Sequence, residues 1–139
     1  MIYTIGNQKG GCGKTTTAVN LAVESVLDEK ETLLIDMDPQ ANTTLTFLEP
    51  NDKRLDMHDL LTGITSTYGT MVQVPEYKKL WLLPSSINLA RLEMHNGQGL
   101  DIIYSLKEKL TEVKETYDMI FIDTGPTLGI LSVMAMIAA

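Results

Sequence analysis

The sequence predicts an α/β domain in which helices flank a parallel β-sheet. Three observations lead there. Short, largely apolar runs at Ile2–Ile5, Thr32–Ile35 and Met119–Ile122 read as strands buried on both faces. Apolar residues at helical spacing lie between them, so strand and helix alternate. Each run then delivers a residue with chemistry, Gly6, Asp36 or Asp123, at its carboxyl end. In open α/β sheets that is the end where ligands bind.

The first strand leads into Gln8-Lys9-Gly10-Gly11-Cys12-Gly13-Lys14-Thr15-Thr16. Glycine at 10, 11 and 13 removes side-chain bulk, so backbone N–H groups can close around an anion. The helix that follows points its positive end at the same place. Lys14 adds a mobile cation for outer phosphates, and Thr15 a hydroxyl suited to Mg²⁺. This strand–loop–helix is a nucleotide triphosphate cradle. It departs from the usual phosphate-loop pattern at one place, because Gln8 stands where the first glycine would be.

The helix after the loop carries an apolar stripe at Ala18, Val19, Ala22, Val23, Val26 and Leu27. A fourth strand is expected at Leu80–Leu83, closed by Pro84. Residues 49–77, broken by Pro50, Gly63, Gly69 and Pro75, offer one short helical piece near Met57–Leu61. A later stripe, Ile103, Leu106, Leu110, Val113 and Tyr117, predicts a second amphipathic helix. Leu128 to Ala139 is almost wholly apolar, with Ser132 the polar exception, and is too short to span a bilayer. It reads as a buried helix whose cover lies beyond residue 139, in a longer protein or a dimer. Residues 1–139 are thus expected to be the N-terminal portion of a single domain.

Three acidic residues are candidates to face the cradle. Asp123 at a strand tip either caps or turns the chain at Gly125-Pro126, or meets a cation; the phosphate loop favours Mg²⁺. Asp36 and Asp38, two apart in an extended segment, are expected to point the same way, toward metal and γ-phosphate. Asp38 is placed to orient an attacking water. The competing reading of this stretch is a solvated Asp-Pro turn with Asn42 as a helix cap.

Composition limits the remainder. The chain has 139 residues, 44% of them hydrophobic, and a net charge of −7. A uniformly basic nucleic-acid surface is therefore excluded for this stretch. The single cysteine excludes an internal disulfide and fits a reducing compartment. No leader pattern opens the chain. His58, His95, Trp81 and the eight methionines show no partner pattern and are expected at the surface or in packing.

Three motifs together resemble the ParA/Soj partition ATPases of the ParA/MinD superfamily. They are Asn7-Gln8-Lys9-Gly10-Gly11-x-Gly13-Lys14-Thr15-Thr16-Thr17, Leu34-Ile35-Asp36-x-Asp38-Pro39-Gln40-x-Asn42, and Tyr117-Asp118-x-Ile120-x-Ile122-Asp123-Thr124-x-Pro126-x-Leu128-Gly129. Leu82-Leu83-Pro84-Ser85 and Leu89 also sit in step. The resemblance implies a P-loop NTPase fold with a deviant Walker A motif, and ATP and Mg²⁺ as cofactors. It implies an ATP-sandwich homodimer that binds DNA nonspecifically and releases it on hydrolysis, with a centromere-binding partner of ParB type. The location would be cytoplasmic and nucleoid-associated, without stable membrane association.

Carried over by position, the resemblance makes Lys9, Lys14 and Asp38 catalytic. Gly10, Gly11, Cys12, Gly13, Lys14, Thr15 and Thr16 would bind nucleotide, and Thr15, Asp36 and Asp123 would serve the metal. Lys9 would be the signature lysine that reaches the other subunit's phosphates; its alternative is one more local phosphate contact. Two departures stand out. Gly125-Pro126 replaces a frequent Pro-Pro, which is expected to loosen that turn. Cys12 stands where the family has a small apolar residue, and is expected to pack as one; the alternative is an oxidation-sensitive thiol.

Two other functions compete. A MinD-like membrane cycler would share the loop but needs an amphipathic C-terminal helix, and Asp38-Pro39-Gln40 speaks against it. A non-catalytic nucleotide-binding fragment is the other. Iron–sulfur reductases of the superfamily are disfavoured, since a bridging cluster needs paired cysteines.

Overall fold

The computed structural model describes residues 1–94 and 99–139. The expectation for His95 lies outside them. Five strands, β1 (Ile2–Ile5), β2 (Thr32–Met37), β3 (Val72–Gln73), β4 (Leu80–Leu83) and β5 (Met119–Thr124), form one sheet in the order β1-β5-β2-β4-β3. β1, β5, β2 and β4 run parallel. All six residues of β2 are buried, which is why its sequence shows no alternation. β3 is an addition: two residues pair antiparallel with β4 and close that edge. The parallel sheet expected from the sequence therefore carries one antiparallel strand, too short to leave a periodic signal.

Alternation along the strands separates two apolar layers. Leu34, Leu82 and Phe121 face helix α1 (Lys14–Leu27) and pack on its Ala18 and Ala22. Small residues on the helix let it lie close to the sheet. Leu33, Ile35, Ile120 and Ile122 face the opposite layer. That layer contains α3 (Met57–Leu61), α5 (Ala90–Met94), α6 (Ser105–Thr111) and α7 (Ile130–Ala138). Two short helices complete the described structure, α2 (Asn42–Phe47) and α4 (Thr67–Thr70).

Three expectations need correction. The stripe from Ile103 to Tyr117 is not one helix. Ile103 belongs to a 3-10 turn at Leu100–Tyr104, and α6 ends at Thr111. Val113 and Thr116 then bond three residues back, to Leu110 and Val113, turning the chain toward β5. Val113 and Tyr117 still reach the core, so the apolar spacing reported burial correctly and helix length wrongly.

The apolar terminal helix finds most of its cover inside this chain. Leu131, Met134, Ala135 and Ala138 are buried in the second layer, while Leu128 (63%) and Met136 (54%) stay exposed. Ser132 is not a solvent-facing residue; it is buried and donates to the Thr127 carbonyl at 2.6 Å. Asn42, finally, is the first residue of α2 rather than its cap; the cap position is Ala41.

Trp81 is half-buried in packing, as expected. His58 lies within α3, where Asp56 accepts from the His58 and Asp59 backbones and Asp59 answers to Asp56. This capping box fixes the helix start. No helix among the described residues is long and apolar enough to cross a membrane.

Candidate functional site

From Gly10 to Gly13 the loop between β1 and α1 donates no backbone hydrogen bond to any described residue. Gly11 (φ 68°) and Gly13 (φ 88°) take the left-handed backbone that non-glycine residues resist, which bends the chain into a concave turn. Gly13 occupies the cap position of α1 without a capping side chain, and the first turn holds no acid. The positive end of a fourteen-residue helix thus opens onto the turn. Lys14 folds over it, its Nζ donating to the Lys9 carbonyl at 3.1 Å. The Lys9 backbone is pinned by Asn7 Oδ1 at 2.9 Å, while its side chain is exposed. Cys12 is exposed as well, correcting its expected burial; its Sγ lies 3.9 Å from Lys14 Nζ.

Gly11, Cys12, Gly13 and Lys14 help line a cleft of about 400 Å³. Gly10 to Thr16 form one wall, and Asp38, Gln40, Asn42, Thr124 and Pro126 the other. The volume suits a polyphosphate held by backbone N–H groups and one lysine.

Below the cleft lie two carboxylates. Asp36 and Asp123 are direct register partners on β2 and β5, on the sheet face that carries α1. Both are fully buried. Asp36 accepts at Oδ1 from the Asp38 backbone (3.1 Å), and at Oδ2 from the Thr44 backbone (2.8 Å) and hydroxyl (2.7 Å). It therefore caps α2 from the neighbouring strand, which explains how α2 forms without a cap of its own. Burial pushes the Asp36 carboxyl up to about 7, against the pull of those Thr44 and Asp38 hydrogen bonds and with help from Asp123. Asp123 is also raised, first by burial; Thr43 and Thr15 oppose that, Asp38 adds to it and Lys14 subtracts.

Asp123 Oδ2 accepts from Thr15 (2.8 Å) and Thr43 (2.6 Å). Its Oδ1 is buried and has no hydrogen-bond partner among the described residues. A bare buried carboxylate oxygen is costly unless a cation or its water meets it. Thr15, which lines the cleft, ties this carboxylate to it. Hydroxyl and carboxylate oxygens are the hard donors that Mg²⁺ takes, usually with several waters retained. The residues present fit that ion.

Of the residues predicted for the site, eight line one cleft, and Lys9, Asp36 and Asp123 do not. Lys14, Thr15, Thr16, Gly10, Gly11, Cys12, Gly13 and Asp38 line the cleft. Asp36 and Asp123 are not among its lining residues, and Asp36 has both oxygens engaged by protein donors. Asp36 and Asp38 thus do not face the cleft together: Asp36 lies within β2, and Asp38, past the strand's end at Met37, is the one that lines the cleft. Asp38 is nearly buried; Oδ1 accepts from the Gln40 backbone at 2.9 Å and its carbonyl accepts from Ser85 at 2.7 Å. At Gly125 an added Cβ would stand 3.3 Å from the Asp38 carboxylate, so the glycine leaves room for that acid. Sequence reading missed Thr43, Thr44 and Ser85. The available signal was the polar Asn42-Thr43-Thr44 run directly after the acids.

This parallel sheet with its loop-to-helix cradle defines a P-loop ATPase fold. The family described as the AAA domain matches residues 1–139. The chain belongs to it, within the ParA/Soj-type ATPases. It is 41% identical over 135 residues to the chromosome-partitioning ATPase Soj of Treponema pallidum, covering 96% of this chain and 51% of that one. Among solved structures, cobyrinic acid a,c-diamide synthase from Mycobacterium smegmatis, with bound ATP analog and magnesium, superposes with a TM-score of 0.92 at 30% identity (99% of this chain, 56% of that one). A plasmid partition protein from Borrelia burgdorferi gives 0.89 at 30% identity, with 99% and 62% covered. The chain spans about half the length of the curated relatives it matches.

Proposed function

We propose that the protein carrying this chain is a Mg²⁺-dependent ATPase that works as a dimeric switch in plasmid or chromosome partition. In the ATP state it would bind DNA without sequence preference, and a ParB-type partner would stimulate turnover. The observation that carries the nucleotide part is the bare Oδ1 of Asp123, buried beside Thr15 at the foot of a glycine loop. The partition role rests on the similarity to Soj and plasmid partition proteins.

In this reading the loop amides and Lys14 hold the outer phosphates. Thr15 and Asp123 hold the metal, with Asp36 acting behind them through α2. When bound, the ion neutralises charge on the phosphate oxygens. Asp38 accepts a hydrogen bond from the attacking water and orients it. Lys9, exposed at the loop's rim, reaches a second copy's phosphates and stabilises charge in the transition state. Turnover then requires two copies.

The test uses the intact protein and linear DNA of arbitrary sequence. DNA retention with ATP and Mg²⁺, its loss with ADP or EDTA, and sedimentation of a dimer only with ATP are expected. Equal retention in every nucleotide state would refute the switch. Failure to bind ATP at all would refute the site.

A further inference from the structure

We propose that Thr43 is a positioning residue for the metal-facing carboxylate, holding Asp123 by one oxygen so that the other stays free for Mg²⁺ or its water. The inference rests on the nucleotide reading above and adds a residue to it.

Thr43 is fully buried, and its hydroxyl lies 2.6 Å from Asp123 Oδ2. The Thr15 hydroxyl approaches the same oxygen at 2.8 Å. An ionised carboxylate only accepts, so both hydroxyls give it their single proton. One oxygen is thereby saturated while Oδ1 is left bare. Two donors arriving from α1 and α2 resist rotation of the carboxylate about its own axis. One donor alone would let the two oxygens exchange.

The two donors are not equivalent. Thr15 lines the cleft and its lone pairs are committed to the ion in the proposed function. Thr43 has no such second task and is absent from the cleft lining. It also stands on an element tied to the site's other acid. The next residue, Thr44, is bound through both its backbone and hydroxyl to Asp36, and accepts from the Ser85 backbone at 2.8 Å. The Ala41 backbone bonds to the Asp38 carbonyl at 2.9 Å. The metal-facing acid is therefore indexed to the same rigid corner as the water-facing acid. Partners that orient a ligating carboxylate in this way typically contribute about 10–100-fold in metal affinity.

The experiment titrates Mn²⁺ into the ADP complex of the intact protein, read by electron paramagnetic resonance, for wild type, Thr43→Val and Thr43→Ser. Valine keeps the shape and removes the hydroxyl; serine keeps the hydroxyl. Thr43→Val should bind Mn²⁺ about tenfold more weakly, and Thr43→Ser should return to within about threefold of wild type. ADP affinity measured in EDTA should be the same in all three. A Thr43→Val complex with wild-type Mn²⁺ affinity overturns the inference, as does serine behaving like valine. A weakening that appears equally in EDTA, as lost ADP binding, means that Thr43 acts only on folding and overturns it too. If melting curves show that Thr43→Val folds poorly, Thr43→Ala in the same titration decides. A wild-type ADP complex that takes up no Mn²⁺ refutes the nucleotide reading itself, whereas normal wild-type uptake with an unaffected valine variant refutes only the role of Thr43.

Discussion

From Gln8 to Cys12 every residue is exposed, and among the described residues the only hydrogen bond that a side chain of this stretch or of Lys14 makes to a backbone oxygen is that of the Lys14 ammonium to the Lys9 carbonyl. Across the cleft, Thr43, Thr44 and Ser85 are all buried, and each hydroxyl is spent on the aspartates or their backbone. The loop is backbone waiting for an anion; the corner opposite is already wired. In the proposed function the difference assigns the work: affinity would come from groups left unsatisfied until a polyphosphate arrives, and orientation from groups fixed beforehand, which cost no reorganisation at the moment of reaction.

Substitutions on the two sides should therefore fail in different ways. Lys14→Ala should lose nucleotide binding, by about a thousandfold or more, as two charge-assisted contacts of about 2 kcal/mol each disappear. A fluorescent ATP analogue titrated into the variant reads this directly, and near-normal affinity would leave the loop without its principal cation. On the wired side, Asp38→Ala should keep that affinity and slow turnover by about 10²–10³-fold, accumulating an ATP-bound form. Phosphate release at the wild-type rate would remove Asp38 from its role. Lys9→Ala sharpens the contrast, because Lys9 belongs to the loop by position and, in the proposed function, to catalysis by task. Binding by a single copy should survive while turnover drops about 100-fold. Mixing Lys9→Ala with Asp38→Ala should restore part of the rate if the lysine acts on its neighbour's phosphates.

A smaller effect separates the two sides by pH. Asp36 sits at about 7 in the fold against its usual 3.8. The folded protein thus retains a proton that the unfolded chain gives up, so stability from this group is full below about pH 4 and is lost as pH rises through 7. The urea midpoint of the ligand-free protein should fall between pH 5 and 7.5, and fall less in Asp36→Asn. The smallest effect is at Ala41, held at φ 57° beside α2. Ala41→Gly should relieve that strain and raise stability by about 0.5–1 kcal/mol in the same melts. A loss of stability instead would mean that the buried Ala41 methyl matters more than its backbone.

The sequence made the loop legible because its chemistry is backbone chemistry written in glycine, one lysine and one hydroxyl at fixed spacing. β2 and β5 were legible because buried parallel strands leave continuous apolar runs. Asp123 stood out as an acid at the end of such a run. The corner did not, for a physical reason. α2 has six residues, no apolar stripe and no cap of its own; its cap is Asp36, eight residues before Thr44 and on another element. Helix signals in sequence are local, and this one is not. β3 was hidden by brevity, since two residues carry no period. The depth difference between Asp36 and Asp38 was hidden by the assumption of extended backbone, which stops at Met37.

The bond from Asp36 to the start of α2 closes a ring of chain between residues 36 and 44. Its circumference is fixed in units of one amino acid. A residue inserted at the start of α2, ahead of Thr43, would rotate both threonines by about 100° relative to the strand that caps the helix, swinging them off their acids at once. Point changes in this stretch can be graded in effect, but changes in its length cannot. Homologous proteins that keep these acids and threonines should also keep the number of residues between them.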